Sequence, residues 1–169
     1  MRAVLIPLLL GAVAVLSGCA SKIRPYDGPE VTRVVAFKEE RTLVLLHERE
    51  VLRVFDFELG FAPEGHKEVS GDGRTPEGHY LIDRKNPESD FHLSLGISYP
   101  NAADRAHARA LGESPGGDIF IHGTPRNFSE TPDWTWGCIA VTDREIEEIF
   151  AMVEVGTPIS IYPRSARRD

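Results

Sequence analysis

Beyond residue 30 the chain alternates short apolar, β-branched runs with polar breaks. Residues 31–37 and 42–46 are two such runs of strand length. After the polar break His47-Glu48-Arg49-Glu50, residues 51–59 read as the return arm of a hairpin. A glycine-rich loop follows, then short predicted strands at residues 79–83 and 91–97. Strands separated by turns at such short intervals predict a mainly β domain. Two helices interrupt it. Residues 102–111 are alanine-rich, follow a candidate cap at Asn101 and stop at Gly112. The second helix opens on Thr142-Asp143-Arg144-Glu145, a capping box in which Thr142 and Glu145 satisfy each other's orphan amides. Ile146, Ile149, Phe150 and Val153 then recur on one helical face, Gly156 is the expected stop, and residues 158–162 return to strand.

The first eighteen residues follow another pattern. Arg2 precedes an apolar run over residues 4–16, shorter than the roughly 20 residues a membrane-spanning helix needs. It reads as the core of a signal peptide, residues 1–18. Leu16-Ser17-Gly18-Cys19 resembles the lipobox of bacterial lipoproteins. That resemblance implies cleavage before Cys19 and lipidation of its thiol, with acyl chains holding the protein to a membrane in the cell envelope. An ordinary secretory signal with a chance cysteine is the alternative. Ala20 in second place resembles the pattern sent on to the outer membrane, on its periplasmic face, where a cell has two membranes. Residues 19–30, with Pro25, Gly28 and Pro29, read as a lipidated tether. Residues 31–163 form a single domain and residues 164–169 a polar tail.

A hydrophobic share of 41% and a charged share of 27% belong to an ordinary globular chain. The net charge of −7 argues against nucleic-acid binding, which needs a basic stripe. Cysteine usage changes the picture more. There are two, and lipidation would consume Cys19, leaving Cys138 alone in an oxidising compartment where thiols are usually paired. Such a thiol is either an inert buried group or a reactive one. The apolar run Asp118-Ile119-Phe120-Ile121-His122-Gly123 delivers a histidine at a strand end, and Trp136-Gly137-Cys138-Ile139-Ala140-Val141 opens another strand beside a cysteine. Fifteen residues lie between His122 and Cys138, enough to let the two strands lie side by side. A Cys–His pair at neighbouring strand ends is what thiol nucleophilic catalysis requires.

His122-Gly123 followed by Thr135-Trp136-Gly137-Cys138 resembles the signature of the L,D-transpeptidases with a YkuD-type catalytic domain. Gly71-Asp72-Gly73-Arg74-Thr75-Pro76-Glu77-Gly78-His79-Tyr80 is similar to that family's upstream loop and strand, and the likeness runs over residues 31–162. The stretch from Ile97 to Arg105, with Asp133-Trp134-Thr135, looks most like the YafK-like branch. The resemblance implies a β-sandwich-like barrel of mostly antiparallel strands with the two helices at its edge. It also implies Cys138 as nucleophile, its pKa lowered by pairing, and His122 as the base, oriented by the Gly123 carbonyl. The Cys138 N–H, helped by Gly137 or Trp136, would form the oxyanion hole, with Thr135 in support. The substrate so implied is the peptidoglycan stem peptide, joined through a thioester and passed to an amine. Two departures stand out: Trp136 where many members carry His, and Ala140 where many carry Arg.

Weaker candidates for the substrate cleft are His92, on the predicted 91–97 strand, Trp134, Arg74 and Arg126. The remaining histidines, His47, His66, His79 and His107, show no metal-ligand spacing, so neither metal nor cofactor is expected. Three functions stay open: a transpeptidase, a hydrolase of the same fold that passes the acyl group to water, and a non-catalytic wall-binding lipoprotein. The partners they imply are stem peptides, the membrane at Cys19, and a wall-attached protein.

Overall fold

The computed structural model describes residues 22–165; the signal segment, Cys19 and the end of the polar tail lie outside them. Eight strands form one continuous sheet. In chain order they are β1 (Arg33–Phe37), β2 (Thr42–His47), β3 (Glu50–Asp56), β4 (Gly78–Asn86), β5 (Ser94–Ile97), β6 (Phe120–His122), β7 (Ile139–Ala140) and β8 (Pro158–Tyr162). Their spatial order is β3-β2-β1-β8-β4-β5-β6-β7. Neighbours are antiparallel except for β1 with β8 and β6 with β7.

The two edges of the sheet meet. The chain leaving β3 pairs with the strand and loop at the far edge: Glu58 and Ala140 exchange hydrogen bonds of 2.8 and 2.9 Å, and Thr135 bonds both Leu59 and Phe61 at 3.0 Å. The closed sheet wraps a core of fully buried aliphatic residues, among them Leu43, Leu45, Ile82, Leu95, Ile121 and Ile161. Alternation along the strands puts these residues inside.

Both helices start as their sequences require. In α1 (Ala102–Ala110), Asn101 accepts from the Ala103 and Asp104 amides, and Asp104 closes the box. In α2 (Asp143–Met152), Thr142 and Glu145 form the expected reciprocal pair. Helix α2 lays Ile146, Ile149 and Phe150 onto the core beside β5 and β6. It stops at Met152, four residues before Gly156. Val153 turns extended and stays buried, and the Gly156 amide bonds the Ile82 carbonyl at 2.8 Å, so the sheet claims the segment that helical spacing would have continued. The strand expected at residues 91–97 is also shorter, because Phe91 to Leu93 form a tight turn with His92 at φ 72°.

The segment read as a tether does not hang free where it is described. Arg24 pairs with Glu147 at 2.8 Å, Lys22 Nζ donates to the His92 carbonyl at 2.7 Å, and Tyr26 packs against the core.

Candidate active site

The parallel pairing of β6 with β7 places the two key residues together. Ile121 lies opposite Ile139 and His122 opposite Ala140, so Cys138 enters the edge one position before the ladder begins. Residues two apart in a strand share a face, so Phe120, His122 and Cys138 line one cavity of about 370 Å³. Its other wall is the loop after β4, including Glu88, Asp90 and Phe91. A larger cavity of about 480 Å³ surrounds Lys38 and Arg41 and shares no lining residue with this one. The thiol and imidazole, not volume, make the smaller cavity the candidate site.

His122 is held on several sides. Its Nδ1 lies 2.7 Å from the Gly123 carbonyl. A carbonyl can only accept, so Nδ1 carries the proton and Nε2 keeps its lone pair. Phe91 lies over the ring at a centroid distance of 4.5 Å, and Trp134 meets it edge-on at 5.6 Å. Trp134 in turn stacks flat on Phe128 at 4.4 Å. Gly123 has no room for a side chain: a Cβ would stand 2.8 Å from the Phe91 carbonyl oxygen and would also meet the Asp143 carboxylate.

Cys138 is half-buried, its thiol donating to the Asp118 carbonyl at 3.5 Å. Burial pushes the thiol up to about 11, with the Asp118 carboxylate adding to the rise. Burial also moves His122 below the usual imidazole range, against the opposing effect of its bond to Gly123. The expected lowering of the thiol pKa by pairing is therefore corrected. Burial thus favours the neutral forms of both groups over the separated charges of a thiolate–imidazolium pair.

The turn before the cysteine is tightly built. Thr135 Oγ1 donates to the Cys138 carbonyl at 2.8 Å and accepts from the Gly137 amide at 3.2 Å. Gly137 has φ 118°, and a Cβ there would strike the Arg74 carbonyl. The Gly137 amide is thus engaged within the turn. Asp133 braces the same loop through Arg41 at 2.7 Å and the Leu59 amide at 3.1 Å.

The other candidates fall elsewhere. His92 lies in a turn rather than on a strand, and its imidazole faces Glu147 at 2.9 Å. Arg74 turns to Glu68 at 3.0 Å. Arg126 lines a separate cavity of about 410 Å³ beside Phe128 and Glu145. Trp134 supports the imidazole, whereas Trp136 stands 72% exposed, edge-on to Phe61 at 5.1 Å. Among the described residues, no three His, Cys, Asp or Glu side chains are grouped to hold a metal ion. Sequence reasoning missed Phe91, Asp133 and Glu147. Phe91 and Asp133 stood next to residues already singled out, and Glu147 carried no signal beyond a polar helix position.

A thiol and a singly protonated imidazole at adjoining strand ends of a closed sheet define a Cys–His site on a mainly β scaffold. The YkuD L,D-transpeptidase catalytic domain matches residues 31–161, and the chain belongs to that family. YafK of Escherichia coli (strain K12) is 34% identical, over 75% of this chain and 52% of its own. The chain thus spans about half the length of that relative. Among solved structures, the helical cell shape determining protein Pgp2 of Campylobacter jejuni superposes with a TM-score of 0.64 at 23% identity, over 90% of this chain and 54% of its own. Bd1075 of Bdellovibrio bacteriovorus does so at 0.60 and 22%, over 85% and 52%. An L,D-transpeptidase of Mycobacterium smegmatis does so at 0.53 and 16%, over 78% and 58%. These structures share the fold, including the mainly β barrel.

Proposed function

We propose that the protein is a cysteine-dependent L,D-transpeptidase of peptidoglycan. Cys138 attacks a stem-peptide carbonyl at the third residue, and His122 Nε2 takes the thiol proton as the S–C bond forms. The developing oxyanion points at the Cys138 amide, a donor of the kind worth about 2.7–4 kcal/mol in a transition state. Collapse breaks the C–N bond to the terminal D-alanine, whose amine leaves with the proton from His122. An amine of a second stem then attacks the thioester, forms the new amide and returns the thiol. Because the thiol rests protonated, proton transfer to His122 accompanies attack.

The observation that carries this reading is the His122 Nδ1 contact with Gly123 at 2.7 Å in the cavity that Cys138 lines. It leaves Nε2 free to act as a base. The lipobox-like Leu16-Ser17-Gly18-Cys19 supports anchoring at Cys19 in the bacterial envelope, with residues 31–163 as the working domain.

The test incubates the protein and its Cys138→Ala variant with disaccharide-tetrapeptides and intact sacculi, and reads products by mass spectrometry. Cross-linked dimers that need Cys138 are expected. Cysteine-dependent loss of cross-links, or release of a wall-attached protein without new bonds, would assign the acyl group to water. No cysteine-dependent product at all would leave a wall-binding lipoprotein.

A further inference from the structure

The loop that walls the cavity opposite β7 is held from outside the sheet. His92, at its end, stands in the left-handed region at φ 72°, which a residue with a side chain seldom adopts unassisted. Its ring nitrogen lies 2.9 Å from Oε1 of Glu147 in α2. The other Glu147 oxygen takes hydrogen bonds of 2.8 and 3.1 Å from Arg24. Lys22 Nζ donates to the His92 carbonyl at 2.7 Å. A helix and the N-terminal strap therefore converge on one turn, although neither lines the cavity.

That turn reaches the imidazole within one residue. The ring of Phe91 covers His122, and its carbonyl accepts from the Gly123 amide at 3.0 Å. Gly123 returns the contact through its own carbonyl to His122 Nδ1. Phe91 packs on Trp134 at 5.8 Å but is itself 38% exposed, so burial holds it less firmly than it would a core ring. We propose that Glu147 and His92 are positioning residues, and that the strap of Lys22 and Arg24 braces them to keep Phe91 over His122. The latch fixes the imidazole and keeps its ring covered. This rests on the assignment of His122 and Cys138 as the reacting pair.

The titratable groups around the latch are Glu147, His92, Arg24 and Lys22. Those around the cavity of His122 are Cys138, Asp118, Glu88 and Asp90, with Asp143 beside Gly123. When the latch opens, more water reaches His122 and the thiol in the same cavity, and hydration returns both toward their ordinary ranges.

The test compares Glu147→Ala with Glu147→Gln, which keeps an acceptor for His92, in the full chain. Cys138 alkylation by iodoacetamide is followed against pH, and turnover of disaccharide-tetrapeptide is measured alongside. In Glu147→Ala the alkylation midpoint should move to lower pH while kcat falls roughly ten- to a hundredfold. Glu147→Gln should recover most of both. If Glu147→Ala does not fold, His92→Asn keeps the left-handed turn, removes the imidazole and carries the same expectation. A wild-type alkylation profile in these variants, or Glu147→Gln no better than Glu147→Ala, would overturn the latch. The alkylation readout needs no substrate. A shifted midpoint in a protein that never turns over peptidoglycan would keep the latch and remove the proposed reaction.

Discussion

His122 Nδ1 and the carbonyl of its chain neighbour Gly123 lie 2.7 Å apart, so the backbone itself selects the tautomer of the candidate base. The bond depends on Gly123 approaching the Phe91 carbonyl more closely than any side chain permits. Gly123→Ala should therefore displace the strand end, costing about 1–3 kcal/mol as overpacking does. Turnover should fall by more than the stability loss explains. Urea denaturation alongside steady-state kinetics checks this, and a variant with wild-type kcat would show that the contact is incidental.

The neutral resting pair gives a pH prediction with a definite sign. The Cys138 thiol is raised to about 11, so the fold holds its proton more tightly than the unfolded chain does. That contribution is fully present below the ordinary thiol pKa and is lost as pH rises toward 11. His122 is lowered, so its contribution is present above the ordinary imidazole pKa and is lost as pH falls below it. Denaturation midpoints measured from acid to alkaline pH should fall away on both sides. Cys138→Ala should flatten the alkaline arm and His122→Gln the acid arm. Unchanged slopes in either variant would contradict the burial argument for that group.

The parts of this architecture that were legible in sequence are those fixed by local rules. The Thr142–Glu145 capping box, the β2–β3 hairpin and the side-by-side delivery of His122 and Cys138 all follow from spacing, turn residues and periodicity. What stayed hidden depends on residues far apart in the chain. Glu147 looks like any polar helix position, yet it meets His92 fifty-five positions away and Arg24 beyond that. His92 looked like a strand residue because Phe91 and Leu93 flank it, and periodicity cannot register one left-handed residue. The sheet closes through the Glu58–Ala140 and Gly60–Thr135 bridges, pairings between distant segments that patterning along the chain cannot register. Arg74 and Arg126 shared the charge a substrate carboxylate needs, but charge says nothing of place: Arg74 pairs with Glu68, Arg126 lines another cavity, and neither lines the thiol's.

Thr135 ties the turn before Cys138 through both of its oxygen's hydrogen bonds, one to the Cys138 carbonyl and one from the Gly137 amide. It is buried, so Thr135→Val keeps the volume while leaving two polar backbone groups without that partner. The expected cost is about 1–3 kcal/mol. Thr135→Ser should restore most of it, because the hydroxyl returns. The same order, Thr then Ser then Val, is expected for kcat, since the bonded carbonyl belongs to the residue bearing the thiol. Stability loss without that kinetic order would make Thr135 a packing residue only.

Trp136 presents the opposite case. It is 72% exposed two positions before Cys138, and the bonded Thr135 and the pinned Gly137 on either side keep its backbone from folding inward. Among the described residues its one aromatic contact is a perpendicular one with Phe61, itself half-exposed. An indole held in water contributes little to folding, so Trp136→Ala should change stability by no more than about 0.5 kcal/mol. Alkylation of Cys138 by a small reagent should likewise keep its rate, because the indole does not line the thiol's cavity. A large substrate bound at that thiol would extend past the cavity mouth, where a rigid aromatic face offers contact area at small entropic cost. KM for disaccharide-tetrapeptide should then rise several-fold with kcat nearly constant, the pattern of a contact made equally in ground and transition states. A fall in kcat at constant KM would instead place the indole's influence on the Cys138 turn, and wild-type kinetics would leave its exposure without a role in this reaction.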